Sequence, residues 1–307
     1  MAQNIFISAV EAGSGKVAIS LGVMEFLVRN LKKVSFFRPI IKTPAIEGQK
    51  DNAIHLISDY YNLEQPYEEQ YAYTLNQAKS MVAEGHHTKL LEGIMDKYKS
   101  LEAKSDFVLC LGTDFEDSAS AFEFDINAEI ANNLGCPLLV VVRAKEKGLK
   151  EIEESCRFAI EAFEEKGCDV LSMVINQTPE EIQDQVVEYL GPLLKEKVEL
   201  IYSVPYEASL GCLSMAEIAS ALRSEVLFGV KQMNRLVTRF TVAAMHLKNF
   251  LPRLNEGSLI ITPVDRFDVI LGALAALRSK TMPNIAGMLL TGYMEADYVL
   301  YNLLEGM

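Results

Sequence analysis

The sequence predicts an α/β fold: a doubly wound parallel sheet followed by a second, smaller α/β domain that reads as cut short. Three observations predict it. Apolar, β-branched runs alternate with helical patterns over about the first 220 residues, the rhythm of βαβ units whose strands are buried on both faces. A glycine-rich turn stands between the first run and the first helical pattern, at the edge where such sheets receive ligands. The charge balance changes sign near residue 225, with 21 basic against 36 acidic residues before it (net −15) and 8 against 6 after it (net +2).

The elements follow in order. Strand 4–10, NIFISAV, runs into the turn EAGSG, and a helix over 16–31 begins at Lys16. Strand 34–39, VSFFRP, stops at Pro39, which cannot donate to a ladder. Residues 44–85 are polar and aromatic with weak periodicity. Apart from a helix near 54–61, they are expected to wrap toward the ligand edge rather than join the sheet. Strands at 107–111, 138–142, 170–176 and 200–204 are separated by helices near 89–103, 126–134, 149–166 and 180–195. The third of these carries glutamates on one side and Ile, Phe and Ala on the other, an amphipathic surface helix. A second rhythm starts after 225: the strand-like TRFTVAAM, a helix near 246–251, the strand SLIITPV leading into an apolar helix, the strand-like IAGMLLTGY, and a helical stretch at 295–304 with no strand after it. The expected domains are 1–225 and 226–307, the latter incomplete.

With 307 residues, half of them apolar, the chain can bury a large core without staples. A formal charge of −13 argues against an electrostatic grip on nucleic acid or anionic membrane, both of which need clustered Lys and Arg. Five scattered cysteines form no C-x-x-C pair, as suits reduced thiols. No apolar run reaches the roughly 20 residues that span a bilayer, and no basic leader opens the chain. A cytoplasmic protein without nucleic-acid or membrane partners is expected.

The residues that carry chemistry are Glu11, Gly13, Ser14, Gly15 and Lys16. They follow the pattern G-x-x-x-x-G-K-[ST], in which backbone N–H groups and a lysine hold phosphates at a helix N-terminus and the final hydroxyl ligates Mg²⁺. Here Val10 replaces the first glycine and Val17 the hydroxyl residue. An anion site that has lost its metal chemistry is expected; an ordinary glycine turn is the alternative. Adjacent His86 and His87 point about 100° apart on a helix and make no metal pair. His55 and His246 are expected to be partly buried without an acidic partner, so no metal site is proposed. Ser118, Ser120 and Ser155 lie in no G-x-S-x-G elbow, and no catalytic residue is assigned.

SAVEAGSGKVAISLG, VSFFRPI, SDFVLCLGTD, FDINAEIANNLGCPLLVVV, VLSMVINQ and YSVPYEASLGCLSMAEIA occur in one order. They resemble the dethiobiotin synthetase-like P-loop domain that opens long-form bacterial phosphate acetyltransferases. TPVDRFDVI and LLTGY continue the likeness into that family's DRTGG domain through Asp265, Arg266, Thr291 and Gly292, with Tyr293 in place of the last glycine. The resemblance covers essentially the whole chain.

It implies that three positions once served Mg²⁺, matched here by Val17, Asp51 and Leu111; Asp114, Glu116 and Asp117 follow and are expected to form a solvated acidic loop, the alternative being that they substitute as ligands. It implies that Asn176 reads adenine, an Asx-turn cap being the alternative, and that 204–206 forms a purine-side loop. Asp265 is expected to cap the following helix. Arg266 is expected to make an internal Asp–Arg contact that fixes the turn, the alternative being that it holds an anionic effector or bridges protomers.

The family interconverts acetyl-CoA plus phosphate with acetyl phosphate plus CoA through an acyltransferase domain that follows the DRTGG region. The implied role of this chain is therefore regulation and homo-oligomer assembly beside that catalytic domain, in cis or in trans. It requires no cofactor, and a metal-free nucleotide or small anionic metabolite is its effector. The rivals are an active ATP-dependent ligase and a scaffold with an empty loop. A partition-type ATPase would need a lysine where Glu11 stands.

Overall fold

The computed structural model describes residues 3–43, 50–113 and 120–292. The chain divides into two compact units, Met1–Tyr206 and Glu207–Met307.

In the first unit β1 (Gln3–Ser8) leads through the glycine turn to α1 (Lys16–Asn30), then β2 (Val34–Phe37). Next come β3 (Ile40–Ile41), α2 (Asn52–Tyr61), β4 (Tyr73–Thr74), α3 (Leu75–Ala83) and α4 (His87–Glu102). Then β5 (Phe107–Leu111), α5 (Ser120–Asn133), β6 (Leu138–Arg143), α6 (Leu149–Glu165), β7 (Val170–Thr178), α7 (Gln183–Leu194) and β8 (Leu200–Pro205) complete it.

Six strands form one parallel sheet in the order β2-β5-β1-β6-β7-β8. Alternate residues on each strand point to opposite faces. Phe6, Cys110, Val140 and Met173 therefore join one core, against Leu90 and Ile94 of α4 and Ile152, Ile160 and Phe163 of α6. Ile7, Leu111, Val141 and Val174 join the other, with Met24 and Leu27 of α1 and Ile54 and Ile57 of α2. From β1 the chain first builds one side of the sheet and then the other. Such a reversal of strand order leaves a crevice at the carboxyl ends, beside the turn after β1.

Within 44–85 the described residues do not join the main sheet. They carry structure of their own: β3 pairs with β4, and Thr74 and Gln77 form a capping box for α3. His55 is exposed and pairs with Asp59 at 3.2 Å, one helical turn away, and His246 is exposed too. Their expected burial is corrected, because each lies on the solvent side of a short element, and so is the expected lack of an acidic partner for His55, which Asp59 supplies from the next turn.

The second unit contains β9 (Leu213–Ser214), α8 (Met215–Leu222), β10 (Leu236–Val237), β11 (Arg239–Val242), α9 (Leu247–Phe250), β12 (Ser258–Pro263), α10 (Phe267–Leu277) and β13 (Gly287–Thr291). β11, β12 and β13 form a parallel sheet in that order. Ile260 packs on one face with Phe250, Val269 and Ala273, and Leu259 on the other with Ile218 and Val237. β9 pairs antiparallel with β10, which ties residues 213–214 to 236–237. The division therefore falls at Tyr206–Glu207, whereas the charge balance, a property of surface composition, turns over near 225. The expected helix at 295–304 lies outside the described residues. No helix among the described residues is long and apolar enough to cross a membrane.

Candidate functional site

Gly13 and Gly15 both occupy the left-handed region, at φ +67° and +82°, which lets the loop after β1 turn sharply into α1. A Cβ on Gly15 would lie 2.3 Å from Asn176 Nδ2, so a side chain has no room there. Lys16, the first residue of α1, is 5% exposed. Its ammonium donates to the carbonyl oxygens of Thr113 (2.5 Å) and Gly112 (3.3 Å), just beyond β5.

The loop is stitched to the far half of the sheet on two sides. Asn176 Nδ2 donates to Ser14 O (2.7 Å) and Gln177 Nε2 to Gly13 O (2.9 Å), with Gln177 itself at φ +59°. Glu11 accepts from the Arg143 backbone N–H (3.1 Å) and from the Lys147 ammonium (3.1 and 3.3 Å).

The residues expected to hold an anion, Glu11, Gly13, Ser14, Gly15, Lys16 and Asn176, thus come together at the carboxyl ends of β1, β5, β6 and β7. Sequence reasoning passed over Gln177, Lys147, Thr113 and Asn127. Asn127 clasps Thr113 by accepting from its N–H (2.9 Å) and donating to its carbonyl (3.3 Å). The run N-Q-T at the end of a buried strand was the one available signal. Ser8 and Thr113, 0% and 1% exposed at the ends of β1 and β5, have hydroxyls without a hydrogen-bond partner among the described residues. Buried hydroxyls are normally satisfied, by protein or by water.

Mg²⁺ takes oxygen ligands in near-octahedral geometry, and the residues present do not fit it. Val17 offers hydrocarbon where a hydroxyl is needed, and Leu111 is fully buried in the core. Asp51 is committed elsewhere. Both its carboxylate oxygens accept from Arg38 Nη1 at 2.8 Å, and Oδ1 also caps α2 by accepting from Ala53 and Ile54 N–H at 3.1 Å. The pair is buried, at 2% and 3% side-chain exposure. Among the described residues no group of three or more His, Cys, Asp or Glu could hold a metal ion. Asp114, Glu116 and Asp117 lie outside them.

The second set of candidates also shares one strand edge. Asp265 and Arg266 follow β12, while Thr291 and Gly292 close β13, with Pro263 opposite Thr291. Arg266 grips Asp268 through Nε (2.8 Å) and Nη2 (3.0 Å), and donates to the carbonyls of Ala244 (3.3 Å) and Met245 (2.9 Å). That fork holds the Asp268 carboxyl below its ordinary range. The internal contact that fixes the turn is therefore made by Asp268, not Asp265. Asp265 does not cap α10 either: Arg266 stands at the N-cap, with no side-chain cap bond, because the helix begins one residue later than an Asp265 cap requires.

A family model described as AAA domain matches residues 3–214, and one described as DRTGG domain matches 217–307. The phosphate acetyltransferase of Nitratidesulfovibrio vulgaris is 40% identical over 309 residues, an alignment covering 100% of this chain and 44% of that protein. The phosphate acetyltransferase of Synechocystis sp. is 33% identical over 308 residues, with 100% and 44% covered, and that of Pseudomonas aeruginosa 26% over 316, with 99% and 44% covered. The chain spans less than half the length of these curated relatives. The two matches meet at the same stretch of chain where β9 opens the second unit, and the P-loop domain is a parallel β-sheet domain of the nucleotide-hydrolase type. The chain belongs to the family that joins such an AAA-type P-loop domain to a DRTGG domain, homologous to the N-terminal region of long-form phosphate acetyltransferases.

Proposed function

We propose that this chain is the regulatory and oligomerisation region of a phosphate acetyltransferase, and that its loop senses a small anionic metabolite or a metal-free nucleotide. The observation that carries the reading is the survival of a phosphate cradle in shape. Left-handed glycines, a helix N-terminus and a buried lysine remain, while the groups that would hold magnesium are hydrocarbon or already paired.

An active ligase of the dethiobiotin synthetase type, whose fold the first domain follows in our reading, needs those groups to stabilise charge on a transferring phosphoryl. Asn176 contributes at the base side of a nucleotide in this reading, although its amide N–H already holds Ser14. An effector bound here acts on an acyltransferase domain, in cis or in trans, only through different affinity for two arrangements of the assembly. At the second edge, Arg266 is taken up by Asp268 and the carbonyls of Ala244 and Met245, so its role in our reading is to fix the turn after β12 rather than to hold an effector.

Calorimetry with ATP, ADP, NADH, pyruvate and CoA on this chain and on Lys16→Ala tests the reading. Binding of one of them, weakened at least about tenfold by the substitution, is expected, since a charged hydrogen bond contributes roughly 1.5–3 kcal/mol. No binding of any would leave a scaffold with an empty loop. Mg²⁺-dependent ATP turnover above the Lys16→Ala control would establish the ligase instead.

A further inference from the structure

We infer that magnesium opposes ligand binding at this loop. The inference rests on the anion-binding reading above and adds its sign of metal dependence, which is the reverse of what the complete motif provides. Where a hydroxyl and carboxylates are available, a cation bridging the phosphates is held by protein and ligand together, so it adds affinity. Here the three positions that would serve the cation do not: Val17 and Leu111 are hydrocarbon and Asp51 is already paired. The charge of Asp51 is met by Arg38 at 2.8 Å, inside the protein and at the cap of α2. That carboxylate is already met by a buried guanidinium and is not open to a metal.

A polyphosphate carrying Mg²⁺ therefore gains no contact from its metal and arrives with two fewer negative charges. The attraction it loses is toward the Lys16 ammonium and the N-terminal amides of α1, where burial makes charge count most. Its tightly held water shell must also fit beside the Val17 side chain, and a strongly hydrated ion gains nothing from hydrocarbon.

The test titrates ATP, and separately inorganic pyrophosphate, into this chain by calorimetry, first in EDTA and then at stepwise MgCl₂ with ionic strength held constant. Apparent affinity should be highest in EDTA and fall about tenfold once the probe is saturated with magnesium, the size of one weakened charged hydrogen bond. Lys16→Met, which keeps the aliphatic stem, should weaken binding in EDTA. Affinity that holds or rises with magnesium, while the substitution still weakens binding, would overturn this inference and leave the anion-binding reading standing. No Lys16-dependent binding in either medium would overturn both. The sign of the magnesium effect is read on the unsubstituted chain, so it does not depend on how well a variant folds.

Discussion

Arg38 and Asp51 sit 2.8 Å apart at 2% and 3% side-chain exposure, and the carboxylate also accepts two amide N–H groups at the start of α2. A buried pair of this kind contributes modest net stability, because desolvation offsets most of the attraction, yet removing one partner strands a charge. Asp51→Ala should therefore cost roughly 3–5 kcal/mol, read as a lower urea midpoint at unchanged slope. The double variant Arg38→Met, Asp51→Ala should recover part of that loss. If the single and double variants were equally destabilised, the two charges would not be coupled and Arg38 would not be what occupies the Asp51 carboxylate.

The thiols make a second case at this scale. Burial pushes Cys156 up to about 12 and Cys168 to about 11, from an ordinary value of 9.0. The folded state therefore keeps both protonated after the unfolded chain has begun to ionise. Their contribution is fully present below pH 9 and is lost as pH rises through the folded values. Alkaline melting scans should show stability declining between pH 9 and 11, and Cys168→Ala should flatten that decline. A variant with an unchanged slope would remove Cys168 from the account.

At the scale of elements, what was legible follows from burial. The six strands of the main sheet lie in continuous apolar runs because parallel strands are covered on both faces, and all six were predicted to within two or three residues. α3 escaped notice because its buried stripe is only Leu75 and Ala78, too thin to register as a 3.6-residue period. Its real signal is the T-x-x-Q capping box, in which Thr74 accepts from the Gln77 N–H and Gln77 from the Thr74 N–H. α8 carries the same signal as Ser214 with Glu217. β3, β4, β9 and β10 are two residues each, and a pair of residues has no periodicity to read. The Asp265 cap failed for a related reason: helix boundaries are set by backbone geometry that composition fixes only to within a residue or two.

At the scale of the whole molecule, the loop was legible but its partners were not. Ser14 and Asn176 are 162 residues apart, and Glu11 meets Lys147 across 136. Only the strand order β5-β1-β6-β7 brings them to one edge, and no local pattern encodes that order.

The same scale raises a conflict that experiment can resolve. An anion is to be held by one buried lysine on a chain of net charge −13, all of whose acidic excess lies before residue 226. The two fields differ in reach. The Lys16 contact acts over a few ångströms through buried protein and is screened little, whereas repulsion from the surface carboxylates acts over distances comparable to the Debye length, about 30 Å at 0.01 M salt and about 10 Å at 0.1 M. Salt should remove the repulsion first. The association rate of pyrophosphate in EDTA should therefore rise as KCl is increased over that range, with dissociation nearly constant, opposite to the behaviour of an anion steered by a basic surface. Stopped-flow measurements at several salt concentrations give both rates. An association rate that falls with salt would mean that the local field at the loop is positive well beyond Lys16, with neighbours such as Arg143 and Lys147 outweighing the acidic surface.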